Sequence, residues 1–369
     1  MLKRKGNPMS LDECREKLNK IDADMLSLYE ERMSVVKEVA LYKRQNAMVI
    51  EDKSREKTMK DNLSSKINDD VVRKHYMTFL DSVIDSSKAY QIELNENLKV
   101  AYCGEKGAFA YFALQKIFGN VDAIKYDNFK EAYNACKESK TDFAVLPIEN
   151  SNNGEVSQVI DLLFQGDLDI TNVYDMPIDQ ALLGLNGSTV NDIKTVYSHP
   201  QALAQCREFL ERHKIDIVEE SSTSKAAKII SDKNDKNIGA IASKDVAELF
   251  GLKVLQDKIN GTRDNTTRFA VFSRALNNSL KGNKTANFIL TFTVKNEAGS
   301  LAQALSIISS YGYNLRCLRS RPMKELIWNY YFYVEAVGDV LGSNGTEMLK
   351  ALSICCDKLK IAGVFTELS

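Results

Sequence analysis

Apolar positions near the start of the chain fall at Leu11, Cys14, Leu18, Ile21, Met25 and Leu28, then Val35, Val39 and Tyr42. Alternating steps of three and four residues make a heptad seam, and about 35 helical residues span roughly 50 Å. No glycine or proline interrupts Ser10–Gln91. So long a helix cannot bury its stripe alone. It needs partner helices, a second copy of the chain among them. Breaks near Asn46–Ala47 and Asn68–Asp69 set off further helices at about 51–66 and 70–95, so residues 9–95 are expected to form an all-α, dimerising domain.

The pattern then changes. Short apolar runs at Val100–Cys103, Phe143–Pro147, Ile170–Tyr174, Thr195–Tyr197 and Ile238–Ala242 read as strands. They alternate with helical patterns at Ala108–Ile117, Ala202–Arg212 and Lys225–Ser231. That alternation predicts an α/β region over 98–275, with mostly parallel strands in two lobes around a cleft. A polar linker, Asn277–Lys284, leads to a last segment, 286–369. Strands at 286–294, 313–321, 328–337 and 360–366 and helices at 299–311 and 345–357 give it a βαββαβ order, an α+β ferredoxin-like unit.

Composition narrows the classes. A formal net charge of −1 supplies no field for nucleic acid or an anionic membrane, so an anionic ligand must be held by a few local cations. The basic start MLKRKGNPMS leads into no apolar run, and no stretch of about 18 apolar residues follows; a cytoplasmic protein is expected. Seven scattered cysteines, without a CxxC pair, read as reduced thiols, and three histidines are too few for a His-rich metal site.

Charge placement points to the first site. Position 32 lies on the seam between Leu28 and Val35, yet it is Arg32. A guanidinium in a seam calls for an anion. Lys43 is about 20° from Arg32 around an ideal helix and shares its face, whereas Arg15 is about 100° away and suits a partner's pocket. Asp52, Arg55 and Glu56 share a face of the second helix, and Ser87 and Gln91 share one of the third. With CREKLNKID, EER and DKSRE in order, this segment resembles an AroQ-type chorismate mutase domain. The resemblance implies that Arg32 and a partner's Arg15 grip the carboxylates of chorismate. Lys43 and Gln91 would donate to its ether oxygen, Asp52 and Glu56 would position its hydroxyl and the nearby backbone, and Arg55 and Ser87 would complete the pocket. A unimolecular rearrangement needs orientation and charge stabilisation, with no cofactor.

Four strings mark a second site: Gly104-Glu-Lys-Gly107, Pro147-Ile-Glu149-Asn150-Ser151 with Gly154, Ser198-His199-Pro200-Gln201, and Asn265-Thr266-Thr267-Arg268-Phe269. His199 before Pro200 and Ser222-Thr223-Ser224 also suit helix caps. Taken together, the strings resemble prephenate dehydratase over about 98–275. By that resemblance Thr267 protonates the departing hydroxyl, Arg268 holds a carboxylate, and Asn150, Ser198, Gln201, Ser222 and Thr223 line the cleft. Ala108 and Ala110 stand where the family often has hydroxyls, which removes two cleft hydrogen bonds. A ligand-binding or regulatory protein with the same cleft would need the arginine but not the threonine. A dehydrogenase would need a G-x-G-x-x-G after a strand, which the chain lacks.

Residues 286–369 resemble an ACT domain, with a ligand loop at Gly299, Ser300 and Leu301 and a second motif around Ser320 and Arg321. The resemblance implies a bifunctional enzyme of phenylalanine synthesis, inhibited by phenylalanine and assembled as a homodimer or larger. Ser300 and Arg319 depart from the common Ala and Glu.

Overall fold

The computed structural model describes residues 9–45, 53–94, 98–119, 121–261, 265–323 and 330–368, in two compact units. The first consists of α1 (Leu11–Gln45), α2 (Lys53–Ser64) and α3 (Asp70–Leu94). The Asn68–Asp69 break is a cap: the Asp69 carboxylate accepts from the N–H groups of Val71 and Val72 at 2.8 and 3.0 Å. The break expected at Asn46–Ala47 lies outside the described residues.

Within one chain α1 buries a face other than the heptad seam. Val36 and Ala40, one residue (about 100°) round from Val35 and Val39, are buried, as are Leu80 and Ile84 of α3, the helix that α1 contacts. The seam itself stays open, with Leu11, Leu18, Ile21, Met25, Leu28, Val35 and Tyr42 all 43–66% exposed. Exposed apolar stripes of that extent commonly mark interaction surfaces.

The second unit begins with β1 (Lys99–Cys103), α4 (Phe109–Phe118), β2 (Asp122–Tyr126), α5 (Phe129–Lys137), β3 (Phe143–Asn150), β4 (Gly154–Glu155), α6 (Ser157–Gln165) and β5 (Asp169–Pro177). The chain then crosses to a second lobe. There it forms β6 (Ala181–Gly184), β7 (Thr195–Ser198), α7 (Pro200–Gln205), α8 (Arg207–His213), β8 (Asp216–Glu219), α9 (Thr223–Lys233), β9 (Ile238–Ala242), α10 (Asp245–Phe250) and β10 (Lys253–Gln256). It returns to the first lobe as β11 (Thr266–Ser273).

The mostly parallel sheet expected from sequence is mixed. β1 pairs parallel with β2 and β3, and β7 with β8 and β9. β11 runs antiparallel between β3 and β5, and β6 antiparallel to β9 and β10. The reversal follows from the route: the strand that brings the chain back into the first sheet runs opposite to its neighbours. The helix expected over Ala202–Arg212 is two, α7 and α8, meeting at Cys206.

β12 (Asn287–Val294), α11 (Ser300–Ser310), β13 (Asn314–Pro322), β14 (Tyr330–Val337), α12 (Ser343–Cys355) and β15 (Cys356–Leu368) complete the chain in βαββαβ order. Their strands lie β13–β14–β12–β15, all antiparallel. β15 then continues alongside β5 in parallel, from Gly363 opposite Ile170 to Leu368 opposite Tyr174, and one ten-stranded sheet results. Alternate residues of β12 serve two cores. Phe288, Leu290 and Phe292 pack with Ile308 and Leu352 of the helices, and Ile289 packs with Leu163 and Phe272 of the first lobe. The expected linker is held down, since buried Asn277 donates from its amide to the Thr171 carbonyl at 3.3 Å. Burial pushes the thiols of Cys136 and Cys206 up to about 12, so they stay protonated core residues at neutral pH. Among the described residues no helix is long and apolar enough to cross a membrane.

Candidate active sites

In the helical unit, Arg32 and Lys43 of α1, Arg55 and Glu56 of α2, and Ser87 and Gln91 of α3 line one cavity of about 380 Å³. The Arg32 guanidinium donates to the Ser87 hydroxyl, which in turn donates to the Val83 carbonyl at 2.7 Å. Buried Gln91 donates from its amide nitrogen to the Ser87 carbonyl at 3.3 Å. Its Oε1, an acceptor, has no hydrogen-bond partner among the described residues. Lys88, absent from the sequence reading, also lines the cavity and pairs with Glu56 at 3.0 Å. The lining residues Arg32, Lys43, Arg55 and Lys88 outnumber the acids Glu31 and Glu56 by two charges, which complements a dianion. Arg15 is exposed beside Asp12 and does not line this cavity; Asp52 lies outside the described residues.

In the second unit, the end of β3 meets the start of β11, with Asn150 opposite Thr267. The Asn150 amide nitrogen donates to the Thr267 hydroxyl at 2.9 Å, to the Asn265 side-chain oxygen at 2.8 Å and to the Thr266 carbonyl at 3.2 Å. Its Oδ1 accepts from the N–H groups of Asn152 and Asn153, both at 3.0 Å, so Asn150 is fixed at both ends. With Asn150 donating to it, the Thr267 oxygen has its own proton free to point at a ligand. The Asn265 amide nitrogen beside it is buried and has no partner among the described residues.

Two family models match the chain: chorismate mutase type II over residues 14–92 and prephenate dehydratase over residues 100–277. The bifunctional chorismate mutase/prephenate dehydratase of Aquifex aeolicus is 29% identical over 361 residues, covering 96% of this chain and 97% of its own. The chain belongs to the bifunctional chorismate mutase/prephenate dehydratase family. Among solved structures, a prephenate dehydratase from Arthrobacter aurescens in complex with L-Phe is 27% identical with a TM-score of 0.65, covering 73% of this chain and 90% of that one. A quorum-quenching acylase is equally similar, at 27% identity and a TM-score of 0.67 over 73% of this chain and 98% of that one.

Other residues of the dehydratase motifs have partners within the protein. Arg268 is the main correction. Neighbours on a strand point to opposite faces, so Thr267 and Arg268 cannot both face Asn150. The Arg268 guanidinium makes a bidentate pair with Glu335 of β14, 3.0 Å for each bond, and lies 3.5 Å from Glu149 and Asp175 and 3.4 Å from Glu367. Burial works against its charge, but Glu335 and the other acids outweigh burial and keep it protonated. Its carboxylate partners come from the protein itself.

Ser198 is fully buried, its hydroxyl donating to the Ile241 carbonyl at 2.6 Å. Gln201 is exposed, and its N–H donates to the His199 ring at 3.2 Å, so His199 caps α7. Ser222 caps α9 by accepting from the Lys225 N–H at 3.1 Å, and Thr223 is that helix's first residue. The cap reading therefore holds for both strings. Ala110 is core, 7% exposed, so a hydroxyl there would not reach a cleft; Ala108 is the N-cap of α4 and gives it no side-chain acceptor.

Ser224 joins the lobes by donating to the Lys106 carbonyl in the Gly104–Gly107 turn. Gly107 has φ +93°, and a Cβ there would lie 2.7 Å from the Ser224 hydroxyl. Gly107→Ala is therefore expected to destabilise the chain by about 1–3 kcal/mol and to lower dehydratase kcat/KM. A urea melt of the variant, with the wild-type midpoint as reference, checks the first expectation.

In the C-terminal unit, Gly299 has φ +90° and caps α11, with Ser300 and Leu301 half-buried behind it. Ser320 is exposed on β13. Arg321 faces the dehydratase instead of that loop, pairing with Glu155 and Asp161 at 2.5 and 2.8 Å.

Proposed function

We infer that the chain carries out two consecutive reactions, chorismate to prephenate in the helical unit and prephenate to phenylpyruvate in the α/β unit. In the first, Arg32 and a second chain's Arg15 hold the carboxylates, and Lys43 and Gln91 meet the charge developing on the ether oxygen. Glu56, with Lys88 at its side, positions the hydroxyl. The open seam of α1 supports a homodimer, which is also what Arg15 requires.

In the second reaction the C–CO₂ bond breaks, its electron pair completes the aromatic ring, and the ring hydroxyl leaves with a proton from Thr267. Water and CO₂ are released, and solvent restores the Thr267 proton. The amide of Asn150 stabilises the oxygen of Thr267 as it gives up its proton, which compensates for the weakness of a neutral hydroxyl as an acid. The hydrogen bond from Asn150 to Thr267 carries this reading. Similarity of fold alone does not, because the acylase shares it. A ligand-binding protein has no use for that pair and is the weaker alternative.

Chorismate given to the full chain, with chorismate, prephenate and phenylpyruvate followed separately, tests the scheme. Phenylpyruvate is expected; an enzyme that stops at prephenate would overturn the second half. Since an amide donor needs no protonation, mutase activity is expected to change little between pH 6 and 8. A single titration step that abolishes it in that range would count against Gln91 as the donor.

The βαββαβ unit over 286–369 is read as an ACT domain that binds phenylalanine at Gly299, Ser300 and Leu301, which gives feedback inhibition by the pathway's product. The L-Phe complex of the Arthrobacter aurescens relative supports this choice of effector.

A further inference from the structure

We propose that Arg319 and Arg321 of β13 are positioning residues for the dehydratase: they clamp the acidic β3–β4 hairpin and so hold Asn150 against Thr267. The inference rests on Thr267 as proton donor.

The hairpin creates the need. Its register sets Glu149 directly opposite Glu155, and Asn150 opposite Gly154. Like charges directly across a strand pair repel and destabilise it. β4 is two residues long and the Ser151–Gly154 turn is solvent-exposed; backbone and hydroxyl bonds tie Ser151 to Thr266 at 2.8 and 3.0 Å, but these bonds leave the charges of the facing acids in place. Arg319 meets that repulsion by spanning both acids, hydrogen-bonded to Glu149 and 3.8 Å from Glu155. Arg321 secures the far side, with Glu155 at 2.5 Å, the Ser157 hydroxyl at 2.8 Å and Asp161 at 2.8 Å. Both arginines project from one face of β13, two residues apart, and Arg319 lies over the Tyr333 ring at 5.8 Å. The two acids and the two arginines are only 17–27% exposed, so solvent screens these pairs weakly. A planar fork is suited to bridging two carboxylates in a way that an ammonium is not.

Glu149 immediately precedes Asn150. A hairpin that opens at Glu149 and Glu155 therefore moves the amide that serves the Thr267 hydroxyl. Dehydration at one end of the sheet thus depends on a strand of the C-terminal unit.

The test uses the full-length enzyme with prephenate. Arg319→Gln is expected to lower dehydratase kcat about ten- to a hundredfold, since an ångström of misplacement is enough for that. KM for prephenate should change less than about twofold, because the amide acts on proton transfer. Chorismate consumption should be unchanged. Adding Glu155→Gln to Arg319→Gln removes the repulsion and should restore most of kcat. Wild-type kcat in Arg319→Gln overturns the proposal. So does a loss of kcat that the double variant leaves in place, since the arginine would then act through something other than the acidic pair. A dehydratase still active as Thr267→Ala would instead defeat the reading of the site itself, whatever Arg319→Gln does.

Discussion

Thr267→Ala is expected to convert the enzyme into one that releases prephenate. General acids contribute about 10²–10⁴-fold, and the dehydratase kcat should fall within that range. The change removes the only group proposed to protonate the leaving hydroxyl. It leaves the fold intact, because β11 is held through its backbone by β3 and β5 on either side, and the Thr267 side chain is half-exposed. Chorismate should disappear at the wild-type rate while prephenate accumulates, which separates the two reactions within one assay. Thr267→Ser keeps the hydroxyl and should keep most of the activity. If Thr267→Ala makes phenylpyruvate at the wild-type rate, the proton comes from elsewhere.

Arg32→Ala should have the opposite signature. The arginine lies among Ser87, Gln91 and the apolar wall formed by Val35, Val36 and Ile84. There a carboxylate of the substrate finds a charge that water screens weakly. Removing one such preorganised group typically lowers a rate by about 10²–10³-fold, and chorismate turnover should fall by at least that much. Phenylpyruvate formation from added prephenate should be unaffected. Arg32→Lys should restore little, because the guanidinium has a donor for the Ser87 hydroxyl and others left for the substrate, whereas an ammonium offers no planar fork. Wild-type chorismate turnover in Arg32→Ala would remove Arg32 from the site.

The helices of the first unit were readable because a heptad pattern and a polar break at Asn68–Asp69 are local signals. So was the convergence of Arg32, Lys43, Arg55, Glu56, Ser87 and Gln91, because helical geometry turns spacing into a shared face. Lys88 could have been found the same way, standing three residues before Gln91. β2 and β8 were missed because edge strands with little burial carry no apolar run, and all four residues of β8 are exposed. Arg268 was misplaced for want of one local rule, strand alternation, which sets it opposite in direction to Thr267. Its true partners were beyond sequence reasoning, since Glu335 and Glu367 belong to a distant segment. The β13 arginines were legible as a motif, but not as a clamp on another lobe. The continuity of the two sheets was equally hidden, because nothing local in β15 announces that its second half pairs with β5.

That strand has a bearing on how the molecule is made. β5 emerges from the ribosome long before β15, and until β15 follows, one side of β5 is an unpaired edge able to recruit strands from other chains. The contact between Ile170 and Gly363 is among the most distant in the chain, so it forms late and slowly. The nascent dehydratase lobe thus passes through an adhesive stage, and cells making this enzyme in quantity should depend on chaperones to shield it.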